Sequence, residues 1–197
     1  MEPFVEHTGK IAVLNQDNVD TDRIIPARFL SRISRLGYGE LLFKDVRGES
    51  FPLDQPEAQG ASILIVGVNF GSGSSREHAV WAIQQAGFKA IIARKTPDES
   101  GYSDIFRQNA ANCGLLLIEL PEADYRQLVQ AGSGAGAHID LPVQTVRLGD
   151  KTFNFDISDA SKQAILRGLD LIGTTLLLED EITAYESRST AFVPPRA

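Results

Sequence analysis

Cysteine is nearly absent from this chain: Cys113 is the sole one among 197 residues. A single thiol cannot close an intrachain disulfide, which suits a reducing compartment. Nor can it hold a cubane iron–sulfur cluster, which takes three or four thiolates; any such cluster would have to sit on another polypeptide. Positive charge is also scarce. Nineteen Lys and Arg stand against 26 Asp and Glu, a net charge of −7, which leaves no basic footprint for nucleic acid but does not exclude a local cationic pocket. No apolar run reaches the ~18 residues that suggest a membrane span. The start, Met1-Glu2-Pro3-Phe4, has neither the basic flank nor the apolar stretch of a secretory signal. Cytoplasm is the expected compartment.

What remains is an ordinary globular composition, 43% hydrophobic and 23% charged, in a chain long enough for one sizeable core. Lys10 to Leu14 reads as a strand. Phe29, Leu30, Ile33 and Leu36 share the spacing of one helical face, broken at Gly37 and Gly39. Residues 44–60, with Pro52, Pro56 and Gly60, read mostly as surface loop. Ile63 to Val68 is an apolar run of strand length; Ala79, Val80, Ile83 and Gly87 recur at helical spacing, and Ala90 to Ala93 is a second run. Strand, helix, strand follows, with the strands parallel and buried. A helix over 103–112 ended by Gly114, a strand at 115–118 and a helix over 123–131 come next. A flexible connector at 132–136 leads to antiparallel strands turning at Gly149-Asp150, and to a helix capped by Ser158 or Asp159 that runs to about Gly168. The fold class is α/β.

The chemistry concentrates in Asn69-Phe70-Gly71-Ser72-Gly73-Ser74-Ser75-Arg76-Glu77-His78. This stretch joins a buried strand to a helix, where free N–H groups and the helix dipole favour an anion. Gly71 and Gly73 permit positive φ or close approach of the backbone, and the Arg76 fork matches a carboxylate or phosphate. The dinucleotide fingerprint fails, because Arg76 occupies its third glycine, and neither a phosphate loop nor a G-x-S-x-G elbow is present. The same residues also fit a plain capping box, with Ser74 and Glu77 satisfying backbone donors at the helix start. His78 either faces Ser74 or simply packs. Asn18, Asp20 and Asp22 alternate like a calcium loop, but Arg23 replaces the needed glycine and Phe29 the twelfth ligand.

Gly73 to Ala79 resembles the Gly-Ser-Ser-Arg-Glu-His signature of the mobile fourth domain of aconitases. The wider string from Asn69 to Ala82 is similar to the small subunits of 3-isopropylmalate dehydratases. Further blocks agree in order: Asn18-Val19-Asp20-Thr21-Asp22-x-Ile24-Ile25-Pro26; Ser103-Asp104-Ile105-Phe106, then Asn109 and Gly114-Leu115-Leu116; and Gly168-Leu169-Asp170-x-Ile172-Gly173-x-Thr175-Leu176, then Tyr185-Glu186. The segment from Arg94 to Tyr102 is longer than the family's usual join, and Leu171 replaces a frequent aspartate.

The resemblance implies a swivelling β/β/α domain over residues 1–186, followed by a flexible tail at 187–197. It implies a large-subunit partner carrying a 4Fe-4S cluster, in a heterodimer or heterotetramer, with no cofactor or metal on this chain. The implied reaction interconverts 2- and 3-isopropylmalate by dehydration and rehydration in leucine biosynthesis, on a small dicarboxylate hydroxy acid. Sibling hydro-lyases for homoaconitate, citraconate or dimethylmalate, or a non-catalytic anion-binding module, are the alternatives. By the same resemblance Ser74 is the base that moves the carbon-bound proton, and Ser75 and Arg76, beside Gly73, bind a substrate carboxylate. Arg28, Phe29, Leu30 and Ser31, followed by Arg32, resemble the loop that sorts substrates by their γ group; Phe29 and Leu30 would suit an isopropyl group or pack inside.

Overall fold

A computed structural model describes residues 1–31 and 34–188. Its frame is a seven-stranded sheet in the order β4-β3-β2-β1-β5-β6-β7. The strands are β1 (Glu6–Leu14), β2 (Ile63–Val66), β3 (Ala90–Lys95), β4 (Leu116–Pro121), β5 (Gly136–Asp140), β6 (Thr145–Leu148) and β7 (Lys151–Asn154). β1 joins two different halves. Its second part, Ile11 to Leu14, pairs parallel with β2, and β2, β3 and β4 continue in parallel. Its first part, Glu6 to Lys10, pairs antiparallel with β5, which continues into a meander of β6 and β7. Lys10 to Leu14 is thus only half of the strand. Glu6 to Lys10 alternates between exposed and half-buried, so it shows no apolar run.

Period-two alternation divides the core. Ala12, Leu14, Leu64, Val66, Ile91 and Ala93 face α2 (Glu77–Gln85) and α3 (Asp104–Cys113), meeting Val80, Ile83, Phe106 and Ala110. Ile11, Ile63, Ile65, Ile92 and Ile118 face the other way, onto Tyr125 and Leu128 of α4 (Glu122–Ala131) and Ile165 of α5 (Asp159–Arg167). Every residue of β2 is buried, as a parallel strand covered on both sides requires.

Local signals set most helix ends. Ser103 and Ser158 accept the N–H groups of Phe106 and Ser161, and Gly114 and Gly168 close their helices at φ +75° and +67°. Three expectations need correction. Among the described residues of 29–36 no helical face forms: a 3-10 turn, Ala27–Phe29, stands at its start, Leu36 is 77% exposed, and Ile33 lies outside the described residues. Phe29 and Leu30 reach the core from that one turn, so no longer apolar stripe is needed to bury them. Residues 44–60 carry no regular strand or long helix, yet Phe51, Leu53 and Ala58 are buried under β1, with Phe51 against the Phe43 ring. The connector at 132–136 is fastened along β1 by Gly134 N–H to Ile11 O, Ile11 N–H to Ala135 O and Val13 N–H to Ser133 Oγ.

Beyond Gly168 the chain forms α6 (Leu171–Leu176), capped by Asp170, and α7 (Glu179–Arg188). Preceding all of these, α1 (Thr21–Ile24) is a single turn capped by Asp20. Among the described residues no helix is long and apolar enough to cross a membrane.

Candidate active site

Because β1, β2 and β3 run parallel, the loops after them gather at one edge, outside the carboxyl ends of the strands. Open α/β sheets bind ligands there. The glycine loop follows β2, and its neighbours from the other two strand ends hold its first half. Gly71 N–H donates to Val19 O (2.8 Å) and Thr21 N–H to Ser72 O (3.1 Å). From the other side, Asn69 N–H donates to Ser100 O and Phe70 N–H to Gly101 O, each at 2.9 Å, while Ser103 Oγ donates to Gly71 O at 2.5 Å. Asn18 and Asp20 have structural work here: Asn18 Oδ1 accepts from Asn69 Nδ2 (2.8 Å), and Asp20 Oδ1 caps α1.

The fastening ends at Ser72. From Gly73 to Arg76, among the described residues, the backbone bonds are Ser75 N–H to Gly73 O and, at the helix start, Ala79 N–H to Arg76 O. Gly73, Ser74 and Arg76 are exposed. Among the described residues, the amides of Ser74, Arg76, Glu77 and His78, the Ser74 hydroxyl and the Arg76 guanidinium have no hydrogen-bond or ion-pair partner. The Ser75 oxygen is buried and equally unpartnered. An uncompensated buried hydroxyl costs about 1–3 kcal/mol, so the tip of the loop is left with donors unsatisfied by its own chain.

The capping box does not form. α2 starts at Glu77; Arg76 is its N-cap residue, in extended conformation and without a side-chain cap. Glu77 turns away from Ser74 and accepts from Cys113 Sγ (3.2 Å) and Asn112 Nδ2 (3.4 Å). The backbone explains this. Gly71 at φ +75° and Gly73 at φ +81° keep the chain out of helical conformation until it has passed Arg76. Ser74 is therefore free of structural duty.

His78 packs rather than facing Ser74: its ring lies 4.7 Å from Trp81 and 5.5 Å from Tyr38. Burial pushes its imidazole below the ordinary range; Glu77 pulls upward, while Arg76 and Arg35 add to the downward push. His78 is therefore neutral at pH 7, and the loop's positive charge is Arg76. Arg35 lies over the Trp81 ring (4.9 Å), and Gln85 bridges Arg35 O and Tyr38 N–H, fastening residues 35–38 to α2.

The second candidate group is only partly free. Arg28 grips Asp45 with both guanidinium nitrogens and covers the Phe29 ring at 4.5 Å. Phe29 and Leu30 are half-buried on the core, and Ser31 is exposed. No hydrogen bond or ion pair among the described residues joins 28–31 to 73–76, and Arg32 lies outside them. Burial, reinforced by its bond to Glu77, pushes the Cys113 thiol up to about 12. Among the described residues, Glu6, His138 and Asp140 are the one compact His/carboxylate group. It sits at the start of β1, about 25 Å from the glycine loop at a strand rise of ~3.3 Å per residue.

Sequence reasoning misses Glu119. Burial alone would push its carboxyl up, but the Gly101 amide (2.6 Å), Arg107 (3.1 Å) and Ser100 Oγ (2.9 Å) outweigh this and hold it below the ordinary value of 4.5. Its alternation in β4 looks like any half-exposed strand residue, so no local signal marks it. Glu119 anchors the 100–103 segment that clamps the loop. Glu119→Gln is expected to cost about 1.5–3 kcal/mol at pH 7. A depressed carboxyl stabilises above its unfolded pKa and loses that contribution as pH falls through the folded value. The gap between wild type and variant in urea unfolding should therefore narrow as pH falls below the unfolded value of about 4.3.

Comparison with known proteins decides the family. The profile of the aconitase C-terminal domain matches residues 1–123. The 3-isopropylmalate dehydratase small subunit of Acidothermus cellulolyticus is 44% identical over 98% of both chains, and that of Bacillus subtilis is 44% identical over 98% of this chain and 99% of its own. The chain belongs to the 3-isopropylmalate dehydratase small-subunit family. Within that family, the crystal structure of the Methanocaldococcus jannaschii dehydratase superposes with a TM-score of 0.66 at 29% identity, over 92% of this chain and 99% of its own. The α/β frame described above is therefore the family's aconitase-like fold.

Proposed function

We propose that this chain is the small subunit of a 3-isopropylmalate dehydratase. With a large subunit it interconverts 2- and 3-isopropylmalate by dehydration and rehydration in leucine biosynthesis, in the cytoplasm, moving as one swivelling domain over residues 1–186. The observation that carries the reading is the loop tip from Gly73 to Arg76, exposed and rich in unsatisfied donors beside a fastened first half. It presents positive groups to a carboxylate without having to reorganise them.

In this reading Arg76 grips a substrate carboxylate through its planar fork, helped by the Ser75 hydroxyl and the amides beside Gly73. Ser74 moves the carbon-bound proton. Its alkoxide is stabilised by neighbouring N–H groups and by Arg76, the nearest fixed positive charge on the loop. Arg28, Phe29, Leu30 and Ser31 sort the γ group, with the two apolar side chains offering their exposed halves to an isopropyl substituent. The 4Fe-4S cluster belongs to the large subunit, because this chain has one cysteine and such a cluster takes three or four thiolates.

Co-expression with the large subunit, followed by anaerobic assay on isopropylmalate, citraconate and homoaconitate, tests the proposal. Turnover confined to isopropylmalate is expected; turnover of another malate, or none, would count against it. In the same assay Arg76→Lys should raise KM about tenfold or more with a smaller change in kcat, because a two-pronged contact becomes a single point charge. Unchanged kinetics would remove Arg76 from the carboxylate site.

A further inference from the structure

The two C-terminal helices bury nothing. Neither α6 nor α7 contains a buried residue, and Leu171, Ile172, Leu176, Leu177, Leu178, Ile182 and Tyr185 are all exposed, from 39% at Ile182 to 71% at Ile172. Ile182 and Tyr185 lie on one face of α7, and Leu178, in the turn just before that helix, stands four residues ahead of Ile182. Single exposed apolar residues are ordinary, but seven within fifteen positions are not. A cluster of exposed apolar side chains of this kind marks an interaction surface. Among the described residues, the arm's hydrogen bonds to the rest lie at its base, where Leu171 N–H reaches Asn112 Oδ1 and the chain's amino terminus reaches Gly168 O.

We infer that the α6–α7 arm, Leu171 to Arg188, is the docking element that attaches this subunit to its large subunit, inserting Leu178, Ile182 and Tyr185 into an apolar groove rimmed by basic side chains. The inference rests on the proposed function and names how its partner is held. Charge selects the large subunit over a second copy of this chain. Glu179, Asp180 and Glu181 sit between Leu178 and Ile182, so symmetric pairing of two arms would bring acidic triads together, while a groove with Lys or Arg at its rim would complement them. An amphipathic helix laid in a groove reads through i, i+4 and i+7 anchors in this way.

The test uses full-length small subunit and its purified large subunit, with association measured by light scattering and by titrating activity anaerobically. Leu178→Glu with Ile182→Glu should weaken association at least 100-fold, while kcat at saturating small subunit stays within twofold of wild type. Circular dichroism of the free variant should be unchanged, because both side chains are exposed. A chain ending at Asp170 should fail to associate, and Glu179→Lys with Glu181→Lys should weaken association and reduce its salt dependence. Wild type and the double variant associating equally would overturn the docking role and leave the proposed function standing. Wild type that neither binds nor activates the large subunit would overturn both. An isolated subunit that is dimeric, and becomes monomeric through the same substitutions, would assign the arm to a second copy instead.

Discussion

Ser74→Ala is expected to reduce kcat of the assembled enzyme by about 10²–10⁴-fold, the range contributed by a positioned proton-transfer group, with the fold and the complex intact. A serine that caps a helix contributes about 0.5–2 kcal/mol, and its loss would confuse damage with chemistry. Here the cap position belongs to Arg76 and the Ser74 hydroxyl has no partner among the described residues. The variant should therefore unfold within about 0.5 kcal/mol of wild type. A serine hydroxyl is a poor base in water; it becomes useful only where preorganised positive groups favour its alkoxide. The unpaired amides of Arg76, Glu77 and His78, together with the Arg76 side chain, are those groups. KM should change little, since carboxylate binding is assigned to Ser75 and Arg76. Full turnover in the variant would end the assignment of Ser74 as base.

The second large effect concerns stability. Gly71→Ala should destabilise the protein by about 2–5 kcal/mol, combining the ~1–2 kcal/mol cost of a left-handed backbone with an overpacking cost of ~1–3 kcal/mol. Gly71 sits at φ +75°, and an added Cβ would lie 2.3 Å from Cγ of Phe106. That ring cannot yield: it is fully buried, edge-on to Phe70 and stacked near Tyr102. Gly73→Ala is the control. Its φ is +81°, but the nearest atom to a new Cβ would be Asp20 Cβ at 3.7 Å, so only the backbone cost of ~1–2 kcal/mol applies. Urea unfolding of the two variants measures the difference. Equal losses would show that the Phe106 contact is not what fixes glycine at 71.

The two predictions divide the loop as its hydrogen bonds do. Up to Ser72 the chain is held by Val19, Thr21, Ser100, Gly101 and Ser103, and glycine is needed for fit. From Gly73 to Arg76 it is free, and the residues there answer to a ligand. The sequence pattern alone makes this division hard to see, because Gly71 and Gly73 look alike in it. Sequence reasoning instead offers Ser74 and Glu77 as a capping pair, which fits the residue spacing but not a backbone that delays the helix to Glu77.

What the sequence determined by itself was local. The apolar run at 63–68, the helix over 103–112, the cap at Ser158 or Asp159, the Gly114 and Gly168 stops and the turn at Gly149-Asp150 each act over a few residues, so they can be read without knowing the partners. The chemical inventory of the loop and the poverty in cysteine are equally plain from composition. Only the tertiary structure decided which residues meet across the chain. Glu119 holding the clamp, Arg28 tied to Asp45, β1 divided between two neighbours and the apolar arm left uncovered all depend on contacts between distant segments. Such contacts are set by packing and by the pairing of buried polar groups, neither of which leaves a periodic trace in sequence.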